Sequence, residues 1–184
     1  TSFAFALKLR ETVKNEKGYS PRIIYSLPFL SIIDQNYSIF ENILKENNLI
    51  PSSALLLKHH YLSASEYKIG NGFEDGEDFE HNASRILTES WNSEIIVTTF
   101  VQLFHTLISN RNRSIMKFHR IPGSIVILDE VQSIPYKYWL LMHEIIEFMA
   151  DTFNTYFVFV TATEPLIFPR TQIKPLVDRD NYFR

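Results

Sequence analysis

Five short apolar runs, RIIYSL (22–27), ALLLKHH (54–60), EIIVTT (94–99), SIVILD (124–129) and YFVFVTAT (156–163), recur between longer segments of mixed polarity. Runs of this length that lack polar alternation suit strands buried on both faces, and such strands belong to parallel sheets covered by helices. The intervening segments can supply the helices. TSFAFALKLRETVKNEKG (1–18) reads as an amphipathic helix closed by Gly18, and SIIDQNYSIFENILKENN (31–48) carries apolar residues at helical spacing. ASRILTESW (83–91) suggests a short helix, FVQLFHTLISN (100–110) a helix opening just beyond two threonines, and PYKYWLLMHEIIEFMADTF (135–153) a long one. Strands of four to eight residues alternating with helices of about ten or more predict an α/β architecture, a parallel sheet with helices on both faces.

Two stretches stand apart. EYKIGNGFEDGEDFEHNA, within a span of about 66–84, holds three of the five glycines and a dense acidic run. It reads as a solvated loop, because its acids lack the alternating ligand spacing of a calcium loop. Residues 164–184 read mostly as loop, with room for a short helix.

The whole chain, 184 residues with 45% hydrophobic content, suits one domain or a piece of one. Zero cysteines exclude disulfides, thiolate zinc sites and cysteine nucleophiles, and they fit a reducing, cytoplasmic setting. A formal charge of −3 gives no global pull toward nucleic acid, so contact with DNA or RNA must come from local groups and backbone amides. No apolar run is long enough to span a bilayer, since Ser26, Pro28, Ser31 and Asp34 interrupt the longest candidate. The histidines His59, His60, His105, His119 and His143 lack carboxylates at ligand spacing and read as surface or core residues.

Three of the five runs end in polar residues: VTT, LDE and TAT. In a parallel sheet the carboxyl ends share one edge, so Thr98, Thr99, Asp129, Glu130, Thr161 and Thr163 can converge there. An apolar strand ending in Asp-Glu suits a nucleotide hydrolase. One carboxylate holds a magnesium ion, usually through water, and the other orients and deprotonates the attacking water. The same pair also admits a plainer use, with Asp129 capping the next helix.

The spacing of DEVQ (129–132) and, about thirty residues on, an apolar strand ending in TAT (161–163) resembles motifs II and III of superfamily 2 helicases. More specifically, RIIYSLPFLSIIDQN (22–36), IIVTTFVQLFHTL (95–107), SIVILDEVQSIP (124–135) and FVTATEP (159–165) resemble the helicase of type I CRISPR systems, a helicase-nuclease that unwinds and degrades foreign DNA. YxLPFxSIIDQN and VTTFVQLF carry more of this resemblance than DExx or TAT. It implies that residues 1–184 are part of the first RecA-like helicase lobe, a partial P-loop NTPase domain using ATP and Mg2+ in a prokaryotic cytoplasm.

By matching position, the resemblance gives Asp129 the magnesium, through water, and Glu130 the catalytic water. Gln132 stands where related helicases have His or Asp, and would sense the γ-phosphate. Thr161, Ala162 and Thr163 would couple nucleotide state to movement between two lobes. Pro28, Phe29, Thr98, Thr99 and Gln102 lie in motifs that face the translocating single-stranded DNA, where hydroxyls and free amides bind phosphates without a basic surface. The implied partners are a second RecA-like lobe, a His-Asp nuclease domain and the CRISPR surveillance complex.

Departures from the family pattern matter as well. The phosphate-gripping GxxxxGK[ST] is missing, for none of the glycines at 18, 70, 72, 76 and 123 is followed by Lys. In the family that loop immediately precedes a helix like TSFAFALKLR, so the expectation is a fragment that begins just after it. Such a fragment is expected neither to hydrolyse ATP nor to cut DNA by itself. A non-catalytic interaction module of the same fold is the alternative. An RNA helicase of the wider superfamily is disfavoured by the Gln of DEVQ and by VTTFVQLF.

Overall fold

The computed structural model describes residues 2–60, 88, 90–162, 167–169 and 171–176. Five strands come from the five apolar runs: β1 (Ile23–Leu27), β2 (Leu56–His59), β3 (Ile95–Thr99), β4 (Ile125–Asp129) and β5 (Tyr156–Val160). All neighbours pair in parallel, in the order β2-β3-β1-β4-β5, so every carboxyl end emerges on the same edge. β1 and β3 are buried along their whole length, Ser26 and the two threonines of β3 included, as the mostly apolar runs imply.

Side-chain alternation divides the core into two layers. On one face Ile23, Tyr25 and Leu27 of β1 and Ile125 and Ile127 of β4 pack beneath α1 (Ser2–Lys17) and α2 (Leu30–Glu46), which contribute Phe3, Ala6, Ile33 and Phe40. On the other face Ile24, Ile96, Val126 and Leu128 pack beneath α3 (Phe100–Ile108) and α5 (Trp139–Phe153), through Leu103, Met142 and Ile146. The expected architecture of helices on both faces is the observed one.

Local signals set several boundaries. Gly18, at φ 76°, ends α1, and its N–H donates to Lys14 O at 3.0 Å. α3 begins where the Thr99 hydroxyl accepts from Gln102 N at 3.1 Å, a side-chain cap on the first turn. The long helix expected over 135–153 divides into a 3-10 turn, Tyr136–Tyr138, followed by α5. A seven-residue helix, α4 (Asn112–Phe118), was not expected from the sequence pattern. The acidic loop at about 66–84 and nearly all of the helix expected over 83–91 lie outside the described residues, as do Thr163 and much of 164–184. Among the described residues, no helix is long and apolar enough to cross a membrane.

Candidate active site

The central strands carry the chemistry to the carboxyl edge. Ile125 and Ile127 of β4 point into the layer beneath α1 and α2, and Asp129, two residues on, takes the same side at the rim, half-buried. Tyr25 on the neighbouring strand pairs with Ile127, one step deeper in the sheet. Its ring meets Phe40 edge-on at 5.1 Å, and its hydroxyl donates to Asp129 Oδ2 at 2.6 Å. Burial first, and then the bond to Asp129, pushes the tyrosine pKa far above its ordinary value, so the hydroxyl stays a donor. Ser2 Oγ lies 3.1 Å from the same phenolic oxygen. A phenol has one proton, and Asp129 takes it, so Ser2 is the donor in that contact. The start of α1 is thereby tied through Tyr25 to the carboxylate at the end of β4.

Glu130 follows in a left-handed conformation, φ 57° and ψ 44°. For a residue with a Cβ this costs roughly 1–2 kcal/mol, and it turns the chain sharply from the strand into the 3-10 turn Val131–Ser133. The turn brings Gln132 back over its neighbour, and Gln132 Nε2 donates to Glu130 Oε2. The other end of the same amide is also engaged: Thr161 Oγ1 donates to Gln132 Oε1 at 2.6 Å. Asp129 pairs in register with Val160, which puts Thr161 one residue past the end of β5 at this edge. Thr161, Gln132 and Glu130 thus form one hydrogen-bonded line across two strand ends. Ala162 is exposed beside it, and Thr163 is outside the described residues.

The donor chemistry fits a hard cation. Among the described residues no group of three His, Cys, Asp or Glu side chains gathers. Magnesium in nucleotide sites needs no such cage, since it takes one or two carboxylates and fills its octahedron with water and phosphate oxygens. Tyr25 engages Oδ2 of Asp129 and leaves Oδ1 as the second acceptor.

The residues expected to face nucleic acid separate into two groups. Thr98 is fully buried, and its hydroxyl donates to the His59 carbonyl of β2 at 2.7 Å, so it joins two strands. Thr99 is nearly buried and holds the start of α3. Both hydroxyls are occupied inside the fold. Phe29 is the opposite case: it follows β1 at the start of α2 and is 57% exposed, with Pro28 half-buried before it. Leu27 and Thr99 are register partners, so the exposed Phe29 and Val101 each lie two residues beyond a paired position. Gln102 is half-buried one residue further along α3.

Beside this edge His59 is buried with its ring edge-on to Trp91 at 6.1 Å. Burial chiefly, with the charge of Lys117 next, drives its pKa down to about 3. It is a neutral core histidine, as the absence of ligand spacing suggested.

Residues 2–168 match the family model of the DEAD/DEAH box helicases. The chain belongs to that family. It is also similar to the CRISPR-associated nuclease/helicase Cas3 of Haloferax volcanii, 34% identical over 181 residues, which cover 97% of this chain and 19% of that protein. The chain therefore spans about a fifth of the length of this relative.

For a helicase of this family the five-stranded parallel sheet is the RecA-like fold, and the resemblance carried by the four motifs is upheld. Sequence reasoning missed Tyr25 as a member of the site, although it lies within YxLPF. The available signal was a tyrosine inside a short, mostly apolar strand, since a buried phenol usually needs a partner.

Proposed function

We propose that the chain is the first motor lobe of an ATP-dependent DNA helicase of CRISPR antiviral defence, coupling ATP hydrolysis to translocation on DNA and its unwinding. The observation that carries this reading is the line from Glu130 through Gln132 to Thr161. A carboxylate with no chemistry to perform has no need of a strained backbone and a two-ended amide that ties it to the next strand.

In this reading Asp129 holds Mg2+ through water, with Tyr25 on its other oxygen. When bound, Mg2+ offsets the charge on the phosphate oxygens during transfer. Glu130 orients the attacking water and accepts its proton as the water oxygen bonds to the γ-phosphorus and the bond to the bridging oxygen breaks. Gln132 senses the γ-phosphate and passes its presence to Thr161, with Ala162 and Thr163 in the same coupling segment. The start of α1, tied to Asp129 through Ser2 and Tyr25, is suitably near for nucleotide phosphates to approach.

Pro28, Phe29 and Gln102 form the single-strand track, with Phe29 offering a face on which a base can stack. Thr98 and Thr99 serve that track by holding its backbone, and the amides around the α3 start are the phosphate donors. In this reading a second RecA-like lobe, a His-Asp nuclease domain and a CRISPR surveillance complex are the partners, and the similarity to a CRISPR-associated nuclease/helicase supports the nuclease and the CRISPR setting. Residues 1–184 contain no GxxxxGK[ST] and by themselves are inactive in this account.

The test is ATP hydrolysis by the full-length chain that carries this domain, with matched single-stranded DNA and RNA added in turn. Stimulation by the DNA and not by the RNA is expected. Hydrolysis indifferent to both, or stimulated by RNA alone, contradicts the proposal.

A further inference from the structure

Asp129 stands at the end of a strand, where a carboxylate has rotational freedom about its own side chain and the following residue turns sharply away. Its position is restrained from below by Tyr25, whose hydroxyl lies 2.6 Å from Oδ2. Tyr25 itself has little freedom. It is 3% exposed, pinned in β1 between β3 and β4, and its ring is packed against Phe40, which stacks in turn on Phe3 at 4.2 Å. A donor from Ser2 fixes the remaining direction of its oxygen. The tyrosine is therefore a rigid post built from the core of one sheet face, ending at one oxygen of a half-buried carboxylate.

We infer that Tyr25 is the positioning residue for the metal-binding carboxylate, selecting which oxygen of Asp129 meets the water shell of a divalent cation. The inference rests on the proposed ATPase reading of this edge and deepens it. With Oδ2 committed to Tyr25, Oδ1 alone receives a magnesium-bound water, and the carboxylate is ordered before the cation arrives. Without the hydroxyl, the carboxylate must be ordered at the moment of binding, and both oxygens compete for the same water. Cation affinity suffers, whereas turnover in the fully loaded state changes little, because Glu130 and Gln132 are untouched.

The test uses the full-length chain and measures its Mg2+ requirement in two ways, from the Mg2+ dependence of binding of a fluorescent non-hydrolysable ATP analogue and from the Mg2+ concentration for half-maximal ATP hydrolysis. Tyr25→Phe deletes one oxygen and keeps the ring edge-on against Phe40. The Mg2+ requirement is expected to rise roughly 10- to 150-fold, the range of one hydrogen bond to a charged group, with kcat at saturating Mg2+ held within about threefold. Ile146→Ala loosens the opposite core layer, which does not hold Tyr25, and is expected to lower the thermal midpoint while leaving the Mg2+ requirement unchanged. An unchanged requirement in Tyr25→Phe overturns the inference, and so does an equal rise in Ile146→Ala, which would make the effect one of general packing. Asp129→Ala separates the two levels. If it leaves the Mg2+ requirement at the wild-type value, the ATPase reading itself falls; if it raises the requirement and Tyr25→Phe does not, only the role of Tyr25 falls.

Discussion

Thr161 donates to the same Gln132 amide that donates to Glu130, so the end of β5 and the acidic turn after β4 share one side chain. A change in the position of either is felt by the other through a single rigid amide. Thr161→Val keeps the branching and removes the donor. ATP hydrolysis in the full-length chain is expected to stay within a few fold, whereas duplex unwound per ATP falls by about 5- to 150-fold, the span of typical coupling free energies. Side-by-side ATPase and strand-displacement assays check this, and a parallel loss of both would mean that Thr161 serves catalysis rather than coupling.

The single-strand track is expected to depend on Phe29 and to ignore the Thr98 hydroxyl. Phe29→Ala removes an exposed ring and should weaken single-stranded DNA binding by about 1–3 kcal/mol, the value of one stacked base, with no change in the slope of log affinity against log salt. Thr98→Val strands the buried His59 carbonyl and should cost about 1–3 kcal/mol of stability while DNA affinity holds. Denaturation curves and fluorescence anisotropy on both variants distinguish the two. A loss of DNA affinity in a fully stable Thr98→Val would return that hydroxyl to the track.

His59 gives the fold a pH dependence of known sign. Its folded pKa of about 3 lies well below the free value, so below about pH 6.5 the unfolded chain binds a proton that the folded chain refuses. Stability is unaffected above that pH and falls as the pH drops, by about 2 kcal/mol between roughly pH 7 and 5 from this residue. His59→Phe keeps a ring against Trp91 and should flatten the profile by that amount in urea denaturation. An identical slope in both proteins would show that His59 ionises freely in the folded state.

The strands and long helices were legible because burial on both faces leaves short, mostly apolar runs, and helices covering a sheet leave apolar residues at helical spacing. α4 was not, for NRSIMKF has seven residues and no side-chain cap at Arg111. The acidic pair and Gln132 were found because they adjoin a strand end in sequence. Tyr25 meets Asp129 across 104 residues, a meeting decided by the register of β1 against β4, on which no local pattern bears. The two threonines show the same limit at shorter range. They are adjacent in the chain, yet alternation sends one hydroxyl to a neighbouring strand and the other to a helix start.

The central claim is that Glu130 is the group that activates water for ATP hydrolysis, and one substitution in the full-length chain tests it most directly. Glu130→Gln keeps the size of the side chain and one oxygen that can accept from Gln132, and removes the charge and the ability to accept a proton. Single-stranded-DNA-stimulated hydrolysis is predicted to fall by about 10²- to 10⁴-fold, the usual contribution of a positioned general base, while binding of a fluorescent ATP analogue with Mg2+ stays within about threefold of wild type. Hydrolysis at the wild-type rate by Glu130→Gln would contradict the account.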